Sequence, residues 1–171
     1  SCNKQWQNMD RSGQDKYTLG SMIFWANKDN HDEYQKLRMD SLDTLILKSI
    51  KKKESCGLHA DVVNVIHKYY RNEFVCSGLK ENAWFYFSKE SGKWKQTEQG
   101  HELRRRLSDD IVDVYQYYAN KYKLMKGDDP ESEEFDKFEK YNTNCYTVIV
   151  KLKDVSYMEK IMKGCKDKFY D

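Results

Sequence analysis

The chain has one proline, Pro130, and eight glycines among 171 residues. That is too little turn chemistry for a many-stranded sandwich, and it points to long uninterrupted helices. No run of about 18 apolar residues occurs, which excludes a membrane-spanning helix. Neither sign of charge dominates: 30 lysines and arginines face 28 aspartates and glutamates, for a net +2. Any attraction to a polyanion must therefore come from clustering of positive charge, not from its total. The start, Ser1-Cys2-Asn3-Lys4, has neither an initiator methionine nor a charged-then-apolar leader, and reads as part of a longer chain. The five cysteines (Cys2, Cys56, Cys76, Cys145, Cys165) are odd in number and scattered, which fits a reduced, intracellular setting and not a secreted one. Glycine-rich phosphate loops are missing in both common forms, so these residues should not bind ATP or a dinucleotide by those routes.

The residues present describe a helical protein with a small β element. Apolar residues make up 39% and aromatics 14%, enough for a core, while 34% are charged and leave a very polar surface. Ser1 to Gly13 reads as a polar tail containing Trp6. Leu19, Met22/Ile23 and Ala26 suit a short helix ending at Asn27-Lys28-Asp29-Asn30. Asn30 is a candidate N-cap for a second helix, with Asp32 and Glu33 in its first turn. That helix is expected to break near Met39-Asp40-Ser41, with Ser41 capping a new segment that ends at Lys51-Lys52-Lys53. Leu58, Val62, Val65/Ile66 and Tyr69 form one face of the next helix. Phe74-Val75-Cys76 is a short strand candidate. A hairpin is expected from Ala83-Trp84-Phe85-Tyr86-Phe87 and Lys93-Trp94-Lys95-Gln96, joined through Ser88 to Gly92. A long helix follows, from about Glu98 to Lys126, with its stripe on Leu103, Leu107, Ile111, Val114/Tyr115 and Tyr118. Gly127-Asp128-Asp129-Pro130 stops it. A helix after Pro130 carries Phe135, Phe138, Tyr141 and Cys145, although Val148-Ile149-Val150 could equally form a strand. Val155 to Tyr170 closes the chain as a helix. The expected class is mainly α with a small β-hairpin (α+β): a helical bundle whose centre follows a winged-helix-like order.

Chemistry-bearing constellations are sparse. Cys56-x-x-His59, His67 and Cys76 superficially suggest zinc, but a tetrahedral site needs converging ligands. His59 and His67 lie eight residues apart on one helix, about 12 Å, too far to share an ion. No metal site and no catalytic residue is assigned. Asp109-Asp110, Asp128-Asp129 and Glu133-Glu134 read as solvated or capping carboxylates.

Nucleic acid is the better reading. Single-strand binders combine a basic groove with aromatic platforms, each stacked base contributing about 1–3 kcal/mol. Trp84, Tyr86 and Trp94 sit in the hairpin beside Lys80, Lys89, Lys93 and Lys95, and three of the six arginines follow as Arg104-Arg105-Arg106. Lys51, Lys52 and Lys53 form a second basic run, which also suits a helix C-terminus. The hairpin aromatics could instead simply pack against a helix, and the arginines could pair with Glu102, Asp109 or Asp110. Hairpin register decides the partner of Trp94. A two- or four-residue loop pairs it with Phe87 and buries both, whereas a three-residue loop places it on the face of Trp84 and Tyr86.

Two passages resemble a known family. Leu19-Gly20-Ser21-Met22-Ile23-Phe24-Trp25-Ala26, with Asp29-Asn30 and Tyr34, is similar to the end of the primase C-terminal helical domain that follows a primase–polymerase module. Leu58-His59-Ala60-Asp61-Val62-Val63, Tyr69, Phe74-Val75-Cys76, Trp84-Phe85-Tyr86-Phe87, Trp94 and Glu102-Leu103-Arg104 resemble the linker domain preceding the superfamily-3 helicase. Both occur in primase–helicases of poxviruses and other large nucleocytoplasmic DNA viruses. Ile161-Met162-Lys163, Cys165-Lys166 and Phe169 resemble the connection into that helicase. The resemblance implies a primase tail over 1–38 and a helical linker or collar domain over 39–171, with the hairpin near 84–96.

It further implies a non-catalytic module supporting DNA binding or ring assembly in viral DNA replication. The parent chain would be an ATP-dependent helicase–primase, with ATP and Mg²⁺ used by flanking modules and no cofactor in these residues. Its partners would be single-stranded or forked DNA, the flanking primase and helicase modules, and further copies in a hexamer. It would have no membrane partner and would work at a replication site in host cytoplasm. The alternative is a protein-interaction or oligomerisation module without DNA affinity.

Overall fold

A computed structural model describes residues 19–51 and 53–171. The expected tail with Trp6, and Lys52, lie outside the described residues. The described residues begin with helices α1 (Leu19–Asp29), α2 (His31–Asp40) and α3 (Asp43–Ile50), a short 3₁₀ turn at Lys53–Ser55, and α4 (His59–Tyr70). Strands β1 (Phe74–Gly78), β2 (Ala83–Ser88) and β3 (Lys93–Glu98) follow, then α5 (His101–Arg106), a π-helical turn at Leu107–Ile111, α6 (Val112–Met125), α7 (Glu133–Leu152) and α8 (Val155–Lys168). This is the expected mainly helical α+β architecture.

Caps explain several boundaries. The Asn30 side chain accepts from the Glu33 amide, Ser132 does so from Phe135 and Asp154 from Tyr157, each satisfying a donor the first turn leaves free. Ser41 does not cap α3. It closes α2 instead, its hydroxyl donating to the Arg38 carbonyl at 2.7 Å, and Leu42 precedes α3 without a side-chain cap. Val148-Ile149-Val150 is helical, because the apolar spacing of α7 continues unbroken to Leu152.

The long helix expected from Glu98 starts later. Glu98 belongs to β3, and Gln99 (φ 48°) and Gly100 (φ 72°) are both left-handed, turning the chain into α5. Its buried stripe, Leu103, Leu107, Ile111, Tyr115 and Ala119, repeats every four residues, and each member is 0% exposed. In a regular helix each step of four drifts by about 40°. The wider π turn at Leu107–Ile111 absorbs that drift and keeps the stripe facing inward.

The β element is larger than a hairpin: β1 joins it to make a three-stranded antiparallel sheet in the order β1-β2-β3. Phe74 stands opposite Tyr86 and Cys76 opposite Trp84. The outer edge of β1 is not free, because the Cys76 amide donates to Phe169 O at 2.8 Å and Asp171 N returns to Cys76 O. The core runs continuously from α3 and α4 through the inner sheet face to α6, α7 and α8. Its largest buried side chains include Trp84, Tyr70, Tyr115, Tyr118 and Phe74. α4 and α8 approach closely at Gly164, where a methyl group would meet Val63 at 2.9 Å. The loop between α3 and α4 is tied down by polar contacts from α7 and α8: Lys151 Nζ to Cys56 O and Tyr157 hydroxyl to Gly57 O, both 2.6 Å.

Candidate nucleic-acid interface

The basic hairpin–helix region resolves into residues with different roles. The β2–β3 loop is the four residues Lys89–Gly92, so Phe87 pairs with Trp94. Phe87 is buried, while Trp94 on the outer strand is 42% exposed and meets Phe87 edge-on at 5.7 Å. The even-loop register therefore holds, but only one of the two rings is buried. Ile23 and Phe24 of α1 border the hollow beside Phe87, while among the described residues Trp94 stays 42% exposed.

Trp84 is a correction. At 1% exposure it offers no ring face to a base. Its indole N–H donates to Asn82 Oδ1 at 3.0 Å, its ring packs on Phe169, and Gly100 lies against it. Asn82 holds a left-handed conformation, φ 51°, to make that contact. Trp84 belongs to the core.

The three arginines separate as well. Arg106 turns inward: its Nε donates to Glu102 and its Nη1 to Glu73, both at 2.9 Å, and its guanidinium lies over the Phe74 ring at 5.2 Å. Arg105 is exposed and grips Glu102 with two hydrogen bonds of 2.9 and 3.1 Å. Those bonds from Arg105, helped by Arg106 and opposed by burial, hold the Glu102 carboxyl below its ordinary pKa. Arg104 is exposed and forms no ion pair among the described residues. It lines an open cleft of about 590 Å³ between β3 and α5, together with Tyr86, Gln96, Gln99 and His101. Glu98 and Glu102 border the same cleft, so its positive field is local to Arg104. Lys93, Lys95 and Lys80 are exposed, and Lys95 stands opposite Tyr86 on the sheet. The cleft thus offers one unpaired guanidinium, amide and imidazole hydrogen-bonding groups and a tyrosine; the exposed Trp94 lies outside it, on β3 itself and on the sheet face opposite that of Tyr86.

Lys51 is not part of this cleft. It ends α3 and lines a separate groove against α6 and α7. Lys53 is exposed in the 3₁₀ turn. Among the described residues no three histidine, cysteine, aspartate or glutamate side chains converge to hold a metal ion. The thiols of Cys145 and Cys165 are pushed up to about 12 by burial and stay protonated at neutral pH.

Sequence reasoning missed Glu73. It follows the end of α4, is 5% exposed, and receives Arg38 of α2 at 2.8 Å as well as Arg106. Lys89 of the hairpin loop approaches at 3.4 Å. Arg38 also donates to the Tyr69 carbonyl and lies 3.5 Å from the centre of the Tyr69 ring. Nothing in the local pattern Arg71-Asn72-Glu73 marks a buried carboxylate.

No family model matches the chain. Two viral proteins are similar to it. One is "Putative helicase L207/L206" of Acanthamoeba polyphaga mimivirus, 24% identical over 172 aligned residues, covering 99% of this chain and 17% of that protein. The other is "Putative helicase 022R" of Frog virus 3 (isolate Goorha), 28% identical over 107 residues, covering 63% of this chain and 10% of that protein. The chain is thus related to helicase-named viral proteins and spans less than a fifth of their length. No helix among the described residues is long and apolar enough to cross a membrane.

Proposed function

We propose that this chain is a non-catalytic linker or collar module of a viral DNA primase–helicase, contacting single-stranded or forked DNA next to the motor. The observation that carries the reading is the alignment of almost the whole chain with a segment of the helicase-named mimivirus protein. The β3–α5 region supports a DNA contact: Arg104 provides an unpaired charge in the cleft, and Lys93 and Lys95 extend it along β3. Trp94, outside the cleft on the other face of that edge strand, supplies the exposed ring that base stacking needs. ATP and Mg²⁺ belong to flanking modules in this reading, and self-association would come through the parent assembly.

The test is DNA binding by the chain as a function of salt. Each phosphate neutralised steepens the log–log slope by about 0.7 on single strands and about 0.9 on duplex. Changing Arg104, Lys93 and Lys95 together to alanine should flatten the single-strand slope by about 2, with the helical circular-dichroism signal kept. No binding to single-stranded, forked or duplex DNA at low salt would leave the protein-interaction reading in its place.

A further inference from the structure

Away from the cleft, α3, α6 and α7 meet along an open groove of about 620 Å³. Its floor is apolar, built from Leu47, Tyr122, Met125, Phe138 and Tyr141. Its rim carries Lys51, Lys121 and Lys137, with Asp43 as the only carboxylate lining it among the described residues. Asp43 is already satisfied: both its oxygens accept from Lys121 Nζ, at 2.9 and 3.0 Å, and the Tyr118 hydroxyl also donates to it. Lys51 and Lys137 have no carboxylate partner among the described residues. The Lys137 ammonium rests 5.1 Å from the centre of the Phe138 ring.

Charge and floor together choose between occupants. Tyr122 and Phe138 are stacked on each other at an interplanar angle of 16°, and Tyr122, Phe138 and Tyr141 are 7–8% exposed. Stacking a nucleobase requires a free ring face, and rings only 7–8% exposed have little surface to offer one. An aliphatic side chain needs no ring face, only apolar walls. Met125, 48% exposed, adds an unbranched, adaptable thioether of the kind that accepts varied apolar anchors.

We propose that the α3–α6–α7 groove docks an amphipathic acidic helix of a partner protein. Apolar anchors at i, i+3/i+4 and i+7 would lie along Leu47, Met125 and Phe138, and flanking carboxylates would meet Lys51 and Lys137. This inference is independent of the DNA reading, because it uses another face and other residues.

The probe is a fluorescein-labelled synthetic peptide of about 16 residues, long enough for four helical turns, with leucines on one face and glutamates on the other. Anisotropy titration should show saturable binding, weakened about tenfold or more both by Met125→Asp and by the double change Lys51→Glu/Lys137→Glu. The same peptide with lysines replacing the glutamates should not bind. Circular dichroism and thermal melting of each variant exclude unfolding, and all three positions are exposed. No saturable binding, or binding that neither variant weakens, overturns the proposal. So does loss on the lysine changes alone with displacement by labelled oligo-dT, which would make the groove a polyanion site.

Discussion

Glu73 and Arg106 form an ion pair of 2.9 Å whose carboxylate is almost wholly removed from solvent, and the same carboxylate takes Arg38 at 2.8 Å from the opposite side. One residue thus links α2, the start of the sheet and the basic helix. Removing one partner of a buried pair leaves the others uncompensated, a loss of about 3–5 kcal/mol. Glu73→Ala should therefore lower the urea midpoint sharply, whereas Lys89→Ala, which removes a half-exposed partner at 3.4 Å, should cost at most about 1 kcal/mol. Similar midpoints for the two variants would show that the network contributes little.

The two hairpin tryptophans should behave oppositely. Trp84→Ala empties a core site and should cost about 3–5 kcal/mol. Trp94→Ala removes a half-exposed ring and its edge-on contact with Phe87, worth about 0.5–1.5 kcal/mol. For DNA the order reverses: Trp94→Ala should weaken single-strand affinity while leaving the thermal transition nearly in place. Equal destabilisation by the two changes would contradict the packing seen here.

Gly100 and Gly127 make a matched pair. Both are left-handed, at φ 72° and 70°, but a methyl at Gly100 would meet Met162 at 3.0 Å and Trp84 at 3.2 Å, while one at Gly127 meets nothing within 4 Å. Alanine at either position carries the backbone strain of a positive φ. Gly100→Ala adds overpacking, about 1–3 kcal/mol more. Comparing the two melting curves isolates the packing contribution of the turn between β3 and α5.

Acid should destabilise the fold through two carboxyls. Glu102 lies below its ordinary value because of its bonds from Arg105 and Arg106. Burial pulls Asp43 upward, but the Tyr118 hydroxyl and Lys121 outweigh it, and its value is lowered too. A depressed folded-state pKa means stabilisation that is fully present above the unfolded values, 4.5 for Glu102 and 3.8 for Asp43, and lost as pH falls through the folded ones. Urea midpoints should be flat near neutrality and decline below about pH 4.5, with Glu102→Gln showing a shallower decline.

Helices were legible because three- and four-residue apolar spacing needs no knowledge of the rest of the molecule. The Asn30 cap and the break after Asp40 are equally local. The π turn was not, since Leu103, Leu107 and Ile111 look like an ordinary stripe until the helix must keep all of them buried over several turns. Arg104, Arg105 and Arg106 posed a harder problem. Successive positions are about 100° apart, so one of the three had to turn inward, but which one depends on Glu73, 33 residues away in sequence. Trp84 and Trp94 share a hairpin and a residue type, and only the positions of Phe169, Gly100 and α1 make one core and the other surface.

The C-terminal residues that bond to Cys76 close part of one edge of the sheet. With Cys76 on the β1 edge engaged, β3 is the other edge of the three-stranded sheet formed by the described residues. There Lys93 and Lys95 put like charges beside any approaching strand, a common defence against edge-to-edge pairing. Exposing Trp94 for recognition would ordinarily invite aggregation. In the proposed reading, the same lysines that would draw in a polyanion would also repel a second copy of the strand, so one pair of side chains would both attract DNA and guard the edge.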